Sequence, residues 1–150
     1  MSDAKQPDPL VAFSFALEID NVNVGMFKSV SGLESSIEVT EVRQSDNKGR
    51  VHLIKVPGQV KYGDITFSRG MTKDNALYDW YDEITKGNYS KNIKTGSVIL
   101  YAQDGTESAR WNLEGCWPSG LKSNGLEAGQ SEVLIEEMTF TVNRIERVKK

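Results

Sequence analysis

Residues 36–56, SIEVTEVRQSDNKGRVHLIKV, set two alternating segments around a polar centre. In the first, Ile37, Val39 and Glu41 fall on one face and Ser36, Glu38, Thr40 and Val42 on the other. That is the two-residue period of an extended strand. Residues 44–50, QSDNKGR, hold no apolar side chain and carry the turn formers Ser45, Asp46, Asn47 and Gly49, so they predict an exposed tip. The chain then returns through Val51-His52-Leu53-Ile54-Lys55-Val56.

The same period extends on both sides. Phe13, Phe15, Leu17 and Ile19 alternate with Ser14, Ala16 and Glu18. Asp20-Asn21 and Asn23 predict a tight turn into a second strand, Val24 to Val30, before Ser31-Gly32 breaks the run. Downstream, Pro57-Gly58 predicts a stop, followed by a strand from Val60 to Ser68 ending at Arg69-Gly70. Ser97 to Ala102 and Ala109 to Cys116 flank Asp104-Gly105, a hairpin signal, and Trp117-Pro118-Ser119-Gly120 predicts the end of that strand. Residues 119–131 read as a flexible connection. A last strand, about Glu132 to Ile145, turns Leu134, Glu136, Met138, Phe140 and Val142 one way and Val133, Ile135, Glu137, Thr139 and Thr141 the other. Strands this short between turns this regular predict two packed antiparallel sheets, a sandwich or barrel-like fold.

One segment departs from the pattern. Leu77, Trp80, Tyr81 and Ile84 fall at i, i+3, i+4 and i+7, one face of an α-helix over residues 72–87. Thr72 suits the N-cap, Asp74 the first turn, Lys86 the last, and Gly87 a left-handed stop. The four apolar residues read as core anchors, and the fold class is mainly β with one helix.

The composition bounds what the chain can do. Of 150 residues, 18 are Lys or Arg and 21 Asp or Glu, a net charge of −3. The basic residues are scattered, which argues against an electrostatic nucleic-acid binder. One cysteine, Cys116, cannot form an internal disulfide. The start MSDAKQPDPL lacks a signal-peptide pattern, and no apolar run approaches the ~20 residues that span a bilayer. These features predict folding in a cytosol without a membrane anchor. The organisation reads as an arm over residues 1–12, a domain over 13–146 and a basic tail over 147–150.

Catalytic signals are missing. The single histidine, His52, sits in an apolar strand with no nucleophile elbow, and nothing beside Cys116 would depress its pKa. The run Gly115 to Lys122 mimics a phosphate loop, but Leu121 separates Gly120 from Lys122 and Trp117-Pro118 would obstruct a backbone cradle. One His and one Cys make no zinc set, and Glu136 and Glu137 point to opposite faces of a strand. The reading is therefore no enzyme, no cofactor and no metal.

Several segments form an ordered set: Phe15 to Asp20 with Val24-Gly25-Met26-Phe27; Val30-Ser31-Gly32-Leu33-Glu34; Val42-Arg43 before the tip; and Val56-Pro57-Gly58 through Lys61-Tyr62 and Ile65-Thr66 to Arg69-Gly70. The helix with Leu77-Tyr78-Asp79-Trp80, Arg110-Trp111, Trp117-Pro118 and Glu132 to Glu136 completes it. Over residues 13–145 this set resembles the tail tube proteins of contractile phages and phage-tail-like injection particles. One departure is the tip, where family members often carry a glycine pair and this chain has Gln44-Ser45-Asp46-Asn47 with Gly49 later.

The resemblance implies that six copies close into a ring with a continuous β-barrel lumen and that rings stack into a hollow tube. The implied partners are other copies of the chain, a contractile sheath, baseplate and tail-terminator proteins, and a cargo or tape-measure protein inside. The implied setting is a phage tail or tail-like particle assembled in a bacterial cytoplasm. Elementary physics agrees, since open sheet edges are a hazard unless another chain pairs with them, and a closed barrel has none. Rival readings are a baseplate-proximal adaptor paralogue, a type VI secretion ring protein and, from another class, a monomeric β-sandwich binding module. By the same resemblance, Ser36, Glu38, Thr40, Glu137, Thr139 and Thr141 line the channel. Arg43, Gln44, Ser45, Asp46, Asn47, Lys48, Gly49 and Arg50 form a hairpin that contacts the next ring. Lys73, Asp79, Asp82, Glu83 and Lys86 on the outer helix face meet the sheath. An ordinary solvated strand face, surface turn and helix exterior are the plain alternatives.

Overall fold

The computed structural model describes residues 14–20, 22–70, 74–124 and 134–149. The strands are β1 (Ser14–Ile19), β2 (Val22–Phe27), β3 (Ser29–Ser31), β4 (Ser35–Ser45), β5 (Val51–Tyr62), β6 (Ile65–Gly70), β7 (Lys94–Tyr101), β8 (Glu107–Asn124), β9 (Ile135–Thr141) and β10 (Arg144–Arg147). The single helix among the described residues, α1, spans Ala76–Thr85. Every strand pair is antiparallel, in the order β2-β1-β7-β8-β9-β6-β3, with β10 also on β8 and with β4-β5 as a separate two-stranded ribbon.

The long strand β8 makes two sheets out of this path. Its first part pairs with β7 and β10, and its second part, from Trp117 onward, pairs with β9. The expected stop at Trp117-Pro118-Ser119-Gly120 is instead a bend. Gly115 takes a left-handed φ of 64° and the register slips between Pro118 and Gly120, so the strand turns from one sheet into the other without ending. Of the expected flexible connection, residues 119–124 are strand instead, and 125–131 lie outside the described residues.

Between the sheets sits a core built from the apolar alternates of both. Leu17, Ile19, Phe27, Ile65, Phe67, Val98, Leu113, Met138 and Phe140 are buried, and Leu77 and Trp80 of α1 join them. Tyr81 and Ile84 pack against this cluster. Phe27, Phe67, Phe140 and Trp80 form an aromatic chain with successive centroids 4.9, 5.3 and 5.4 Å apart. The Trp80 indole donates to the Asn92 carbonyl at 2.7 Å, which satisfies the one polar atom the ring carries inward.

Four boundaries differ from expectation for identifiable reasons. The span Val24 to Val30 is two strands, because at Lys28 the chain leaves β1 and joins β6, its N–H donating to Ser68 O at 2.8 Å. Pro57-Gly58 does not stop β5: Gly58 lies in a bulge where a Cβ would come within 2.9 Å of Thr40 Oγ1, and Pro57 stays paired with Val39. The break falls instead at Gly63-Asp64. Helix α1 begins at Ala76 rather than near residue 72, after Asn75 and without a side-chain cap bond; Thr72 and Lys73 lie outside the described residues. Asp74 precedes the helix, its carboxylate accepting from Ala76 N–H at 3.0 Å, so Asp79 is the first-turn acid. Lys86 is the C-cap, one place past the last turn, and Gly87 takes φ 90°. The closing strand divides at Val142-Asn143, where Asn143 N–H donates to Glu114 O at 2.8 Å and leads β10 onto β8. That pairing carries strand structure to Arg147, and Val148 N–H still bonds to Arg110 O at 2.9 Å. Residues 1–13, which contain the expected arm, lie outside the described residues.

Candidate functional site

The surface that distinguishes this protein is built from the face of the β3-β6-β9-β8 sheet turned away from the core. In β6, Ile65, Phe67 and Arg69 are buried, so Thr66 and Ser68 point outward. Register places Thr66 between Ser31 and Thr139, and Ser68 between Ser29 and Glu137; Glu137 in turn stands across from Lys122 and Thr139 from Gly120. Thr66 and Thr139 hydroxyls meet at 3.3 Å, and Thr141 donates to Asp64 at 3.3 Å. Ile135 at one end and Trp117 at the other, its ring edge-on to Tyr89 at 5.6 Å, bound a face otherwise made of small hydroxyls and opposed charges. Glu137, Thr139 and Thr141 thus share one surface. Sequence reasoning passed over Ser29, Ser31, Thr66, Ser68 and Lys122, although the alternation Ile65-Thr66-Phe67-Ser68 in one strand already carried the signal.

The β4-β5 ribbon springs from the same sheet, between β3 and β6. At its root, Gly32 takes φ 85° and a Cβ there would collide with the Asp64 carbonyl, while Gly63 N–H donates to Glu34 O at 3.1 Å. Val30 and Leu33 both pack against the core, as do Ile65 and Tyr62. Residues three apart on an uninterrupted strand point to opposite sides, so the side-chain order reverses at this root on both strands. The Ile37, Val39 and Val60 face therefore continues the core side. Ser36, Glu38, Thr40 and Lys61 continue the hydroxyl side, with Glu38 and Lys61 4.0 Å apart.

Nothing within the described protomer covers the ribbon. Ile37, Val39, Val51 and Leu53 are 56–64% exposed, and they share a face with Val60, Pro57, Glu41, Lys55 and Arg43. The opposite face is not wholly polar, since Val42 and Ile54 lie there beside Gln44 and His52. At the tip, Asp46 closes the turn: Oδ1 accepts from Lys48 N–H at 2.9 Å and Arg50 N–H at 2.8 Å, and Oδ2 lies 3.3 Å from His52 Nε2. The Arg50 N–H foremost holds the Asp46 carboxyl below its usual range; desolvation opposes it, and the Lys48 N–H and His52 add to the lowering. On α1, Asp79 and Lys86 are exposed, Asp82 and Glu83 half-buried, and Lys86 pairs with Asp82 at 2.9 Å.

No catalytic constellation forms among the described residues. His52 is exposed and its neighbour is the turn-closing Asp46. Burial pushes the Cys116 thiol up to about 12, which keeps it protonated and inert. No three His, Cys, Asp or Glu side chains among the described residues gather to hold a metal, and no described helix is long and apolar enough to cross a membrane.

The fold just described is shared with several solved structures. The chain is similar to a subunit of an extracellular contractile injection system, PVC sheath–tube complex in the extended state (TM-score 0.74, 24% identity, covering 95% of this chain and 93% of that one). It is similar too to the anti-feeding prophage tube-terminating cap (TM-score 0.75, 24% identity, 99% and 97% covered). Hcp1 from Flavobacterium johnsoniae shares the fold more loosely (TM-score 0.53, 18% identity, 90% and 94% covered). Among curated proteins none is significantly similar in sequence. Residues 11–146 match the family of the T4-like virus tail tube protein gp19, and the chain belongs to that family of structural tube proteins.

Proposed function

We propose that this chain is the repeating protomer of the inner tube of a contractile injection particle, six copies closing each ring and rings stacking into a hollow conduit. The observation that carries the reading is the ribbon. Among the described residues its outer edges are unpaired, and one of its faces exposes a row of large apolar residues. Such a ribbon is an aggregation hazard in a solitary protein and a joining device in an assembled one. Laying each ribbon beside the β3-β6-β9 sheet of a neighbour would pair those edges and bury the Ile37, Val39 and Val60 face. The hydroxyl faces would then form a continuous wall.

In this reading Ser36, Glu38, Thr40, Glu137, Thr139 and Thr141 line the lumen together with Ser31, Thr66 and Ser68. Small hydroxyls and locally opposed charges offer few apolar anchors, which suits passage of cargo or a tape-measure protein. Residues 43–50 contact the next ring. The α1 face with Asp79, Asp82, Glu83 and Lys86 meets the sheath through surface charges worth only ~0–1 kcal/mol per pair, weak enough for a sheath that must move past it. Baseplate and terminator proteins close the two tube ends. Assembly, not turnover, is the activity.

Negative-stain microscopy of the purified protein tests this directly: long tubes are the expected product, isolated rings would point to an adaptor or secretion ring, and a dilution-stable monomer would refute it. The wall assignment has its own test. In a Thr139→Cys variant, a small maleimide should label intact tubes while a 20-kDa polymer maleimide should label only dissociated protein; equal labelling by both would remove Thr139 from the lumen.

A further inference from the structure

The two ends of the ribbon carry opposite unspent charge. Arg43, Lys48 and Arg50 at the tip are exposed, and among the described residues no carboxylate lies within ion-pair distance of them. The tip's acid, Asp46, is turned onto Lys48 N–H, Arg50 N–H and His52. At the root lies a cleft of about 270 Å³ lined by Glu34, Ser35, Ser36, Lys61, Tyr62 and Gly63. The Glu34 carboxylate rests across Gly63, so near that a Cβ there would stand 2.7 Å from Oε1. Lys61 is engaged with Glu38 at 4.0 Å, and Glu34 has no cation within ion-pair distance among the described residues.

Strand β4 has 11 residues, which at ~3.3 Å each sets tip and cleft roughly 36 Å apart. A tip cannot reach its own cleft. A second copy's tip can, and a contact between two different surfaces of one chain repeats without limit, building a stack. We propose that the root cleft is the socket for the basic tip of a second copy in the neighbouring ring, with Glu34 receiving Arg50 or Lys48. This rests on the ring-stacking role assigned above to residues 43–50. The ribbon's length then sets the ring repeat at no more than roughly 36 Å plus the depth of the seat, and added salt should weaken stacking.

The experiment is a charge swap. Glu34→Lys alone, and Lys48→Glu with Arg50→Glu alone, should each give rings without tubes, and the three changes together should restore tubes to at least half the wild-type length. As a second readout, Glu34→Cys combined with Arg50→Cys should give an oxidation-dependent ladder of cross-linked chains. No bond can form within a chain across that distance, and buried Cys116 stays silent. Loss of tubes in the tip variant with normal tubes and no ladder in the cleft variants would overturn the socket while leaving the tip's stacking role intact. Normal tubes in the tip variant would overturn both.

Discussion

Replacing Arg69 by Met should destabilise the protomer by about 3 kcal/mol. Arg69 and Glu136 face each other across β6 and β9, Nε to Oε2 at 3.5 Å, with side chains only 8% and 14% exposed. The guanidinium also lies 5.5 Å from the centroid of the Phe27 ring and against Gly25, where a Cβ would come within 2.8 Å of Nη1. Removing one member of a buried pair strands the other charge and costs about 3–5 kcal/mol, and the lost cation–π contact adds about 0.5–2 kcal/mol. Relaxation of partly exposed Glu136 toward water offsets some of this, which places the net near the lower bound. For a chain of this size the melting temperature should fall by roughly 6–12 °C. Pairing Arg69→Met with Glu136→Leu should recover most of the loss, because a buried pair replaced by apolar residues is often neutral. Urea unfolding followed by tryptophan fluorescence measures both, in a variant with residues 44–49 shortened so that rings do not stack and at one protein concentration throughout, so that ring assembly contributes equally to every variant. A single variant within 1 kcal/mol of the parent, or a double variant as unstable as the single, would refute the reasoning. If it holds, the Arg69-Gly70 signature and Gly25 belong to one structural device, a charged clasp closing the end of the core.

Three further outcomes follow from the geometry. Replacing residues 44–49 by a short Gly-Ser turn should leave the circular dichroism spectrum and rings intact and abolish long tubes; tubes of normal length would contradict the tip's role. Gly32→Ala, which meets the Asp64 carbonyl and a left-handed φ of 85°, should cost at least the ~1–2 kcal/mol of that backbone state and re-aim the ribbon, so tubes should shorten even though the core melts cooperatively; unchanged tubes would sink the idea of a fixed root. Asp46 is held below its usual range, so its ordering of the tip is fully present above that range and is lost as pH falls through the lowered value. Preformed tubes should therefore separate at acid pH, and Asp46→Asn should shorten tubes at neutral pH, as scored by tube-length distributions across the acid range.

Period-two alternation was enough to identify most strands, because which side of a strand meets the core depends on neighbours one and two residues away. The helix face from Leu77 to Ile84 was equally legible, and so was the Asp104-Gly105 hairpin, whose Gly105 takes φ 85°. Breaks read from Pro and Gly were less secure. Pro57-Gly58 and Trp117-Pro118 interrupt a strand only if the partner strand cannot absorb a bulge, and here β4 and β9 do so. Helix α1 starts at Ala76 rather than near residue 72 for a related reason: local capping is worth about 1 kcal/mol, and the burial of Leu77 and Trp80 in the core outweighs it.

What the amino-acid order determined by itself was local: the strand faces, the polar tip and the helix. The channel nominations likewise fell into two local sets, one on the ribbon and one on β9, without a reason for joining them. Tertiary structure supplied that reason. Only folding sets Thr139 beside Thr66 across 73 positions of chain, and only the steric lock between Gly32 and Asp64 reverses the side-chain order so that the ribbon's polar face runs on from theirs. Contacts between distant residues depend on the whole chain's path, which no short-range periodicity encodes.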